Sequence, residues 1–136
     1  MTKREKAMFG AAKAVSELSD HRVHVGAVVA AGARIISSGA NSQTKCHAIQ
    51  AKMDKEEFAC DSKGPLHAEV AALLPLVKKK VDLSGAAIYV YREHKNGVLA
   101  CARPCARCEK MIREVGIKRV FYTIENGISE EKWRIV

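Results

Sequence analysis

The segment PCARCEKMIREVGIKRVFYTI, residues 104–124, has the pattern of a helix followed by a buried strand. Pro104 is a residue type favoured at the start of a helix, and Gly116 is one that often ends it. The residues between them include an apolar stripe at helical spacing, formed by Met111, Ile112 and Val115. The run IKRVFYTI then predicts a strand, because β-branched and aromatic residues fit the surface of a sheet.

Two further segments before it have the pattern of strands. AAIYVY, residues 86–91, is typical of a buried strand, and Asn96-Gly97 predicts a tight hairpin turn after it into VLACAR, residues 98–103. Residues 23–41 form two β-rich runs around Ala31-Gly32-Ala33, which predicts a hairpin.

Helical patterns alternate with these strands. Residues 1–18 predict an amphipathic helix, and residues 66–80 predict a second one that Pro75 should kink or shorten. The tail, residues 129–136, predicts a short helix or an edge strand. Alternating strands and helices indicate an α/β sandwich with a mixed sheet. No repeat or linker divides the chain, so we expect one domain over residues 1–136.

The composition excludes several classes of protein. The chain has 136 residues, 48% hydrophobic and 28% charged, which is enough for a core that needs no disulfide or metal to hold it. No apolar run approaches the roughly 20 residues of a membrane span. The N-terminus lacks the apolar centre and cleavage site of a secretory signal, so we expect the protein in the cytoplasm.

The formal net charge of +8 favours phosphate-bearing partners, from nucleotides up to nucleic acids. Charge alone does not choose between these two kinds of partner.

The cysteines point to a metal. An odd number of them in a chain without an export signal makes a disulfide framework improbable. They are Cys46, Cys60, Cys101, Cys105 and Cys108. Cys105 and Cys108 lie on one face at the start of a predicted helix, where the helix dipole favours thiolates and two soft ligands suit zinc. A redox dithiol is the alternative.

His67 is the candidate third ligand, with a hydrogen-bonded structural histidine as the alternative. Glu69, two residues on, cannot be buried cheaply without a cation or hydrogen-bond donors. Residues i and i+2 of a helix point about 200° apart, so both side chains reach one site only in an irregular first turn.

A non-catalytic zinc module is a further alternative. His94 and Cys101 would close a four-ligand site with Cys105 and Cys108, in the pattern H-x6-C-x3-C-x2-C, and would leave His67 outside. Such a module would serve structure or nucleic-acid binding.

The combination of His67-Ala68-Glu69 with Pro104-Cys105-Ala106-Arg107-Cys108 resembles the H-x-E and P-C-x-x-C motifs of the zinc-dependent cytidine and deoxycytidylate deaminases. The runs VGAVV and GIKRVFY and the triplet Gly39-Ala40-Asn41 are also similar to this superfamily. The resemblance extends over roughly residues 5–125 and implies a three-layer α/β/α sandwich with a mixed sheet of about five strands. It also implies a homo-oligomer.

The same resemblance implies the site residues. His67, Cys105 and Cys108 would bind zinc, with water in the fourth position, and Glu69 would move protons during attack at C4 of cytosine. The remaining candidates would hold the substrate: Asn41 at a sugar hydroxyl, the backbone N–H of Ala68 at the pyrimidine and Arg103 at a phosphate. The alternatives are an ordinary turn residue for Asn41 and a surface role for Arg103.

The substrate is expected to be a cytosine nucleotide, with dCMP converted to dUMP. His67, where small free-cytidine deaminases carry cysteine, favours the deoxycytidylate and nucleic-acid branches. Only 5% of the residues are aromatic, which favours a mononucleotide over a polynucleotide that stacks on aromatic side chains. A deaminase of single-stranded DNA or tRNA is the alternative.

Residues 42–64 predict a long loop with a possible short helix. In some deoxycytidylate deaminases a second zinc orders this region, so Cys46, His47 and Cys60 are candidate ligands. Buried free cysteines are the alternative.

Overall fold

The computed structural model of the chain describes residues 1–43 and 66–133. Within these ranges a five-stranded sheet is formed by β1 (Val25–Ala31), β2 (Arg34–Ala40), β3 (Ala86–Arg92), β4 (Arg119–Ile124) and β5 (Gly127–Lys132). The helices of these ranges are α1 (Lys3–Ser16), α2 (Ala68–Lys78) and α3 (Ala106–Glu114).

The strands are arranged in the order β2-β1-β3-β4-β5. β1 is antiparallel to both β2 and β3, and β5 is antiparallel to β4. β3 and β4 are parallel, because the chain crosses over through α3 and returns to the end of the sheet at which β3 starts. The mixed sheet predicted from the sequence is confirmed.

The helices cover both faces of the sheet. α1 packs on one face through Met8, Phe9 and Ala12, against an apolar set of strand residues that includes Val28, Tyr89 and Phe121. α2 and α3 pack on the other face, against a second set that includes Val29, Ile88 and Val120. The two clusters make the layers of an α/β/α sandwich, as expected.

Two glycines let the helices lie close to the sheet. A Cβ built on Gly39 of β2 would lie 2.5 Å from the backbone nitrogen of Ala72 in α2. A Cβ on Gly26 of β1 would meet the carbonyl oxygen of Ala12 in α1 at an even shorter distance. Side chains at these positions would therefore push the layers apart.

Most local predictions are confirmed with adjusted ends. The hairpin turns at Gly32, which has a φ of +61°, and the described part of the tail includes residues 129–132, which lie in edge strand β5. α2 continues through Pro75 to Lys78, so the proline lies in the last turns and does not stop the helix. Asn96-Gly97 turns the chain, with Gly97 at a φ of +85°.

The segment that follows this turn does not form a return strand. One bridge, between Glu93 and Leu99, joins its two sides. The predicted loop over residues 42–64, with Cys46, His47 and Cys60, lies almost wholly outside the described residues.

In the described ranges, every helix is too short or too polar to cross a lipid bilayer. The cytoplasmic location and the homo-oligomeric state stay predictions.

Candidate metal centre and active site

His67 is the N-cap residue of α2. Its backbone is extended, with a φ of −82° and a ψ of 147°, so it lies just before the first helical turn. Glu69 is already inside that turn. The two side chains need not obey helical spacing relative to each other, and both line one small cavity. This geometry explains how residues two apart reach the same site.

Cys105 occupies the equivalent position on α3. It is the N-cap residue, with an extended backbone, and Cys108 lies one turn into the helix. The loop before it is tied to the end of β4 by the buried Thr123, whose Oγ1 donates to Ala100 O at 2.7 Å. The N–H of Ala102 donates to Thr123 O at 2.9 Å. These bonds fix where α3 begins.

The two helix starts bring three ligand atoms together. Cys105 Sγ lies 3.7 Å and Cys108 Sγ 3.4 Å from His67 Nδ1. In a tetrahedral zinc site, with Zn–S of about 2.3 Å and Zn–N of about 2.0 Å, sulfur and nitrogen ligands are about 3.5 Å apart. The observed distances therefore fit a zinc ion bound through Nδ1 and both sulfurs.

The electrostatics of the pair of cysteines also favour a cation. The hydrogen bond from Cys108, followed by that of His67, lowers the pKa of Cys105 to about 4. The same bond to Cys105, together with burial, raises the pKa of Cys108. Cys105 is thus a thiolate at neutral pH, and the two helix N-termini add positive potential at the site.

Glu69 is buried beside these ligands, with 6% of its surface exposed. Burial raises its pKa, against the opposing effects of a backbone hydrogen bond and of His67. The pKa of His67 is raised as well, chiefly by its hydrogen bond with Cys105. A carboxyl group with a raised pKa next to a metal site is suited to proton transfer.

Arg107 contacts the outer nitrogen of the histidine. Its Nη1 lies 2.6 Å from His67 Nε2, on the side of the ring away from the sulfurs. The C-x-x-C motif alone gave no signal for this contact, because it depends on the relative orientation of α2 and α3.

The cavity at this site has a volume of about 200 Å³. It is lined by His67, Ala68 and Glu69 together with residues of the segment before β1, among them His21 and Val23, and by Asn41. Asn41 is held in place by its own hydrogen bonds: Oδ1 accepts from Ser19 Oγ at 2.6 Å, and Nδ2 donates to Val23 O at 2.6 Å. Among the described residues, the second N–H of this amide has no partner. Its substrate role stays a prediction.

Arg103 is engaged by carboxylates. Its Nε donates to Glu131 Oε2 at 2.8 Å and its Nη2 to Glu109 Oε1 at 3.0 Å. The guanidinium also lies 5.9 Å from the ring centre of Trp133. A role at a substrate phosphate would require these contacts to break, and it stays a prediction.

The alternative four-ligand zinc site is not formed. Within the described ranges, the group of His, Cys, Asp or Glu side chains close enough to share a metal is His67, Cys105 and Cys108. His94 instead contacts Glu125 at 3.2 Å, and Cys101 is an exposed free cysteine.

Comparison with known proteins identifies the class. Residues 1–124 match the family described as the cytidine and deoxycytidylate deaminase zinc-binding region. The chain therefore belongs to this family of zinc-dependent deaminases, which are hydrolases. The three clustered side chains of His67, Cys105 and Cys108 are positioned to bind the zinc ion of this family.

Solved structures agree with this. The apo dCMP deaminase of cyanophage S-TIM5 is 27% identical with a TM-score of 0.61, over 90% of this chain and 84% of that one. Its complex with dCMP and dUMP is 25% identical with a TM-score of 0.61, over 90% of this chain and 82% of that one. A cytidine deaminase from Burkholderia pseudomallei shares the fold at 19% identity, with a TM-score of 0.65 over 97% and 93% of the two chains. None of the curated sequences searched matches the chain.

Proposed function

We propose that the protein catalyses the hydrolytic deamination of a cytosine nucleotide, converting dCMP to dUMP. The observation that carries this proposal is that His67, one member of the cluster of three candidate zinc ligands, lines the same cavity of about 200 Å³ as the buried Glu69. Zinc, when bound, supplies a Lewis acid that makes water nucleophilic at neutral pH.

Glu69 is the proton carrier in this proposal. It takes a proton from the attacking water and gives one to ring N3 of the cytosine. A bond forms between the water oxygen and C4, and Glu69 then takes the second proton from this oxygen and passes it to the amino nitrogen. The bond from C4 to the amino nitrogen breaks, ammonia leaves with the electron pair of that bond, and the C4 carbonyl of uracil forms. The backbone N–H of Ala68 holds the pyrimidine edge, and Asn41 holds a sugar hydroxyl through its second amide N–H.

The choice of dCMP as substrate is supported by the similarity of the chain to a dCMP deaminase. The S-TIM5 relative is a dCMP deaminase, and one of its structures contains dCMP and dUMP.

The test is a substrate panel. Zinc-loaded protein is incubated with dCMP, dCTP, cytidine and deoxycytidine, and ammonia release is followed. We expect the highest kcat/KM with dCMP, and the absence of ammonia from all four would overturn the proposal.

A deaminase of nucleic acid is the second candidate, and the net charge of +8 favours it. Binding to single-stranded DNA or tRNA that weakens steeply with salt, together with deamination of that nucleic acid, would support it. Turnover of free dCMP that is insensitive to salt counts against it.

A further inference from the structure

A second cavity adjoins the proposed deamination site. Its volume is about 550 Å³, and it shares Val23 with the smaller cavity that contains His67 and Glu69. Successive residues of this segment line different cavities: Val25 lines the smaller cavity, and His24 lines the larger one. Asn41, which lines the first cavity, donates a hydrogen bond to the carbonyl of Val23. Val23 therefore lies at the boundary between the two cavities.

The first cavity is too small for a whole nucleotide. Pockets for small molecules usually have volumes of about 300–1,000 Å³, whereas this one has about 200 Å³. A base fits there, and the remaining part of a nucleotide has to extend past the boundary residue. The second cavity, at about 550 Å³, provides that room.

Cations line the second cavity. Arg22, Arg92 and Lys95 all belong to its lining, and none of them forms an ion pair in the described part of the chain. Of the two carboxylates in the lining, Glu93 accepts a hydrogen bond of 2.7 Å from Tyr91, and Glu17 is the other. The lining of the second cavity thus contains three positively charged side chains and two carboxylates.

The guanidinium of Arg92 is only partly satisfied by hydrogen bonds within the described residues. Its Nη1 donates to the carbonyl of Cys101 at 3.3 Å, which holds the guanidinium at the end of β3. Its Nε is buried and has no hydrogen-bond partner among the described residues. Buried polar groups are nearly always paired with protein, water or ligand, and an arginine without a carboxylate is suited to a phosphate.

We infer that the second cavity binds the phosphate of the substrate, with Arg92, Arg22 and Lys95 as its recognition residues. This inference rests on the proposed function, because it assigns the phosphate of the nucleotide whose base lies beside Glu69. It moves the phosphate away from Arg103, whose guanidinium is already paired with Glu131 and Glu109.

The test separates phosphate recognition from deamination. We compare kcat/KM for dCMP and for deoxycytidine in Arg92→Gln, Arg22→Gln and Lys95→Gln. The matched control is Arg34→Gln, which removes the same charge at the opposite end of the β1–β2 hairpin. We expect Arg92→Gln to lose about tenfold or more on dCMP, the size of a lost hydrogen bond to a charged group, with activity on deoxycytidine unchanged.

Equal losses on both substrates, in variants that retain zinc and fold, would overturn the inference. The exposed Arg22 keeps the test valid if replacement of the half-buried Arg92 disturbs β3. The same variants are also assayed on a cytosine-containing single-stranded oligonucleotide. If their kcat/KM falls on the oligonucleotide and not on dCMP, the assignment to a mononucleotide is overturned.

A binding measurement tests the phosphate site even if the proposed deamination is not observed. If the unaltered protein deaminates no cytosine compound, binding of inorganic phosphate and of dUMP is measured by NMR shifts. Shifts at residues 22–24 and 92–95 that disappear in Arg92→Gln still support the phosphate site, and their absence overturns it.

Discussion

Cys108 Sγ lies 3.4 Å from His67 Nδ1, although the two residues are 41 positions apart in the chain. The distance is set by two helices whose first residues meet at one edge of the sheet. α2 begins after His67, and α3 begins after Cys105. The metal site is therefore a property of how the two helices are docked.

Replacing a ligand should remove the zinc. His67→Ala and Cys105→Ser each leave two protein donors, which do not hold zinc at micromolar concentrations of a chelator. Metal content per chain, measured by mass spectrometry of the elements, should fall from one to near zero. Cys101→Ser is the matched control, since this exposed cysteine should be replaceable without loss of zinc.

Glu69→Gln should separate metal binding from catalysis. The amide keeps the size of the side chain but cannot carry the proton, so kcat on dCMP should fall by about 10²–10⁴-fold. The zinc content should stay at one per chain. Loss of zinc in this variant would contradict the proton-transfer role, because Glu69 would then belong to the metal site itself.

The close approach of α1 to β1 predicts opposite effects at two glycines. Gly26→Ala should destabilise the fold by about 1–3 kcal/mol or more, because its Cβ would overlap the backbone of Ala12. Gly10→Ala, in the exposed middle of α1 with no atom within 4 Å, should instead stabilise it by about 0.5–1 kcal/mol. Urea unfolding of both variants measures the change in the free energy of unfolding. A neutral effect of Gly26→Ala would mean that the layers are farther apart.

The contacts of Glu131 predict a dependence of stability on acid. Arg103, then Tyr122, lower the pKa of this carboxyl from 4.5 to about 2. A folded-state pKa below the unfolded one adds stability above about pH 4.5, and this stability is lost as the pH falls from there towards 2. The unfolding midpoint of Glu131→Gln should therefore fall less steeply over this range than that of the unaltered protein.

Glu130→Gln is the control for that experiment, because in the described ranges the carboxylate of Glu130 pairs with the exposed Arg119, at 2.9 Å. Curves of equal steepness for the unaltered protein and Glu131→Gln would show that the Arg103–Glu131 contact does not persist in solution.

Local patterns in the sequence predicted most of the fold. The strand over residues 86–91, the hairpin at Gly32 and the helix that ends shortly before Gly116 all follow from turn residues and apolar spacing, which act over a few positions. The ligand residues were also predictable, since two short motifs of the family contain them. These features need no knowledge of how distant segments pack.

Features that depend on packing between distant segments were not predictable. Periodicity could not tell that His67 is extended, which is what lets it share a cavity with Glu69. The contact of Arg107 with His67 and the pairing of Arg103 with Glu131 join residues 40 and 28 positions apart. The second cavity forms only where the segment before β1 meets the end of β3, and neither segment carries a motif.

The most direct test of the central claim follows the oxygen atom. Zinc-loaded protein is incubated with dCMP in water enriched in oxygen-18, and the product is analysed by mass spectrometry. Hydrolytic deamination predicts dUMP that carries one heavy oxygen on its uracil ring, with one ammonia released per dUMP. Unchanged dCMP, with zinc bound at full occupancy, would contradict the account.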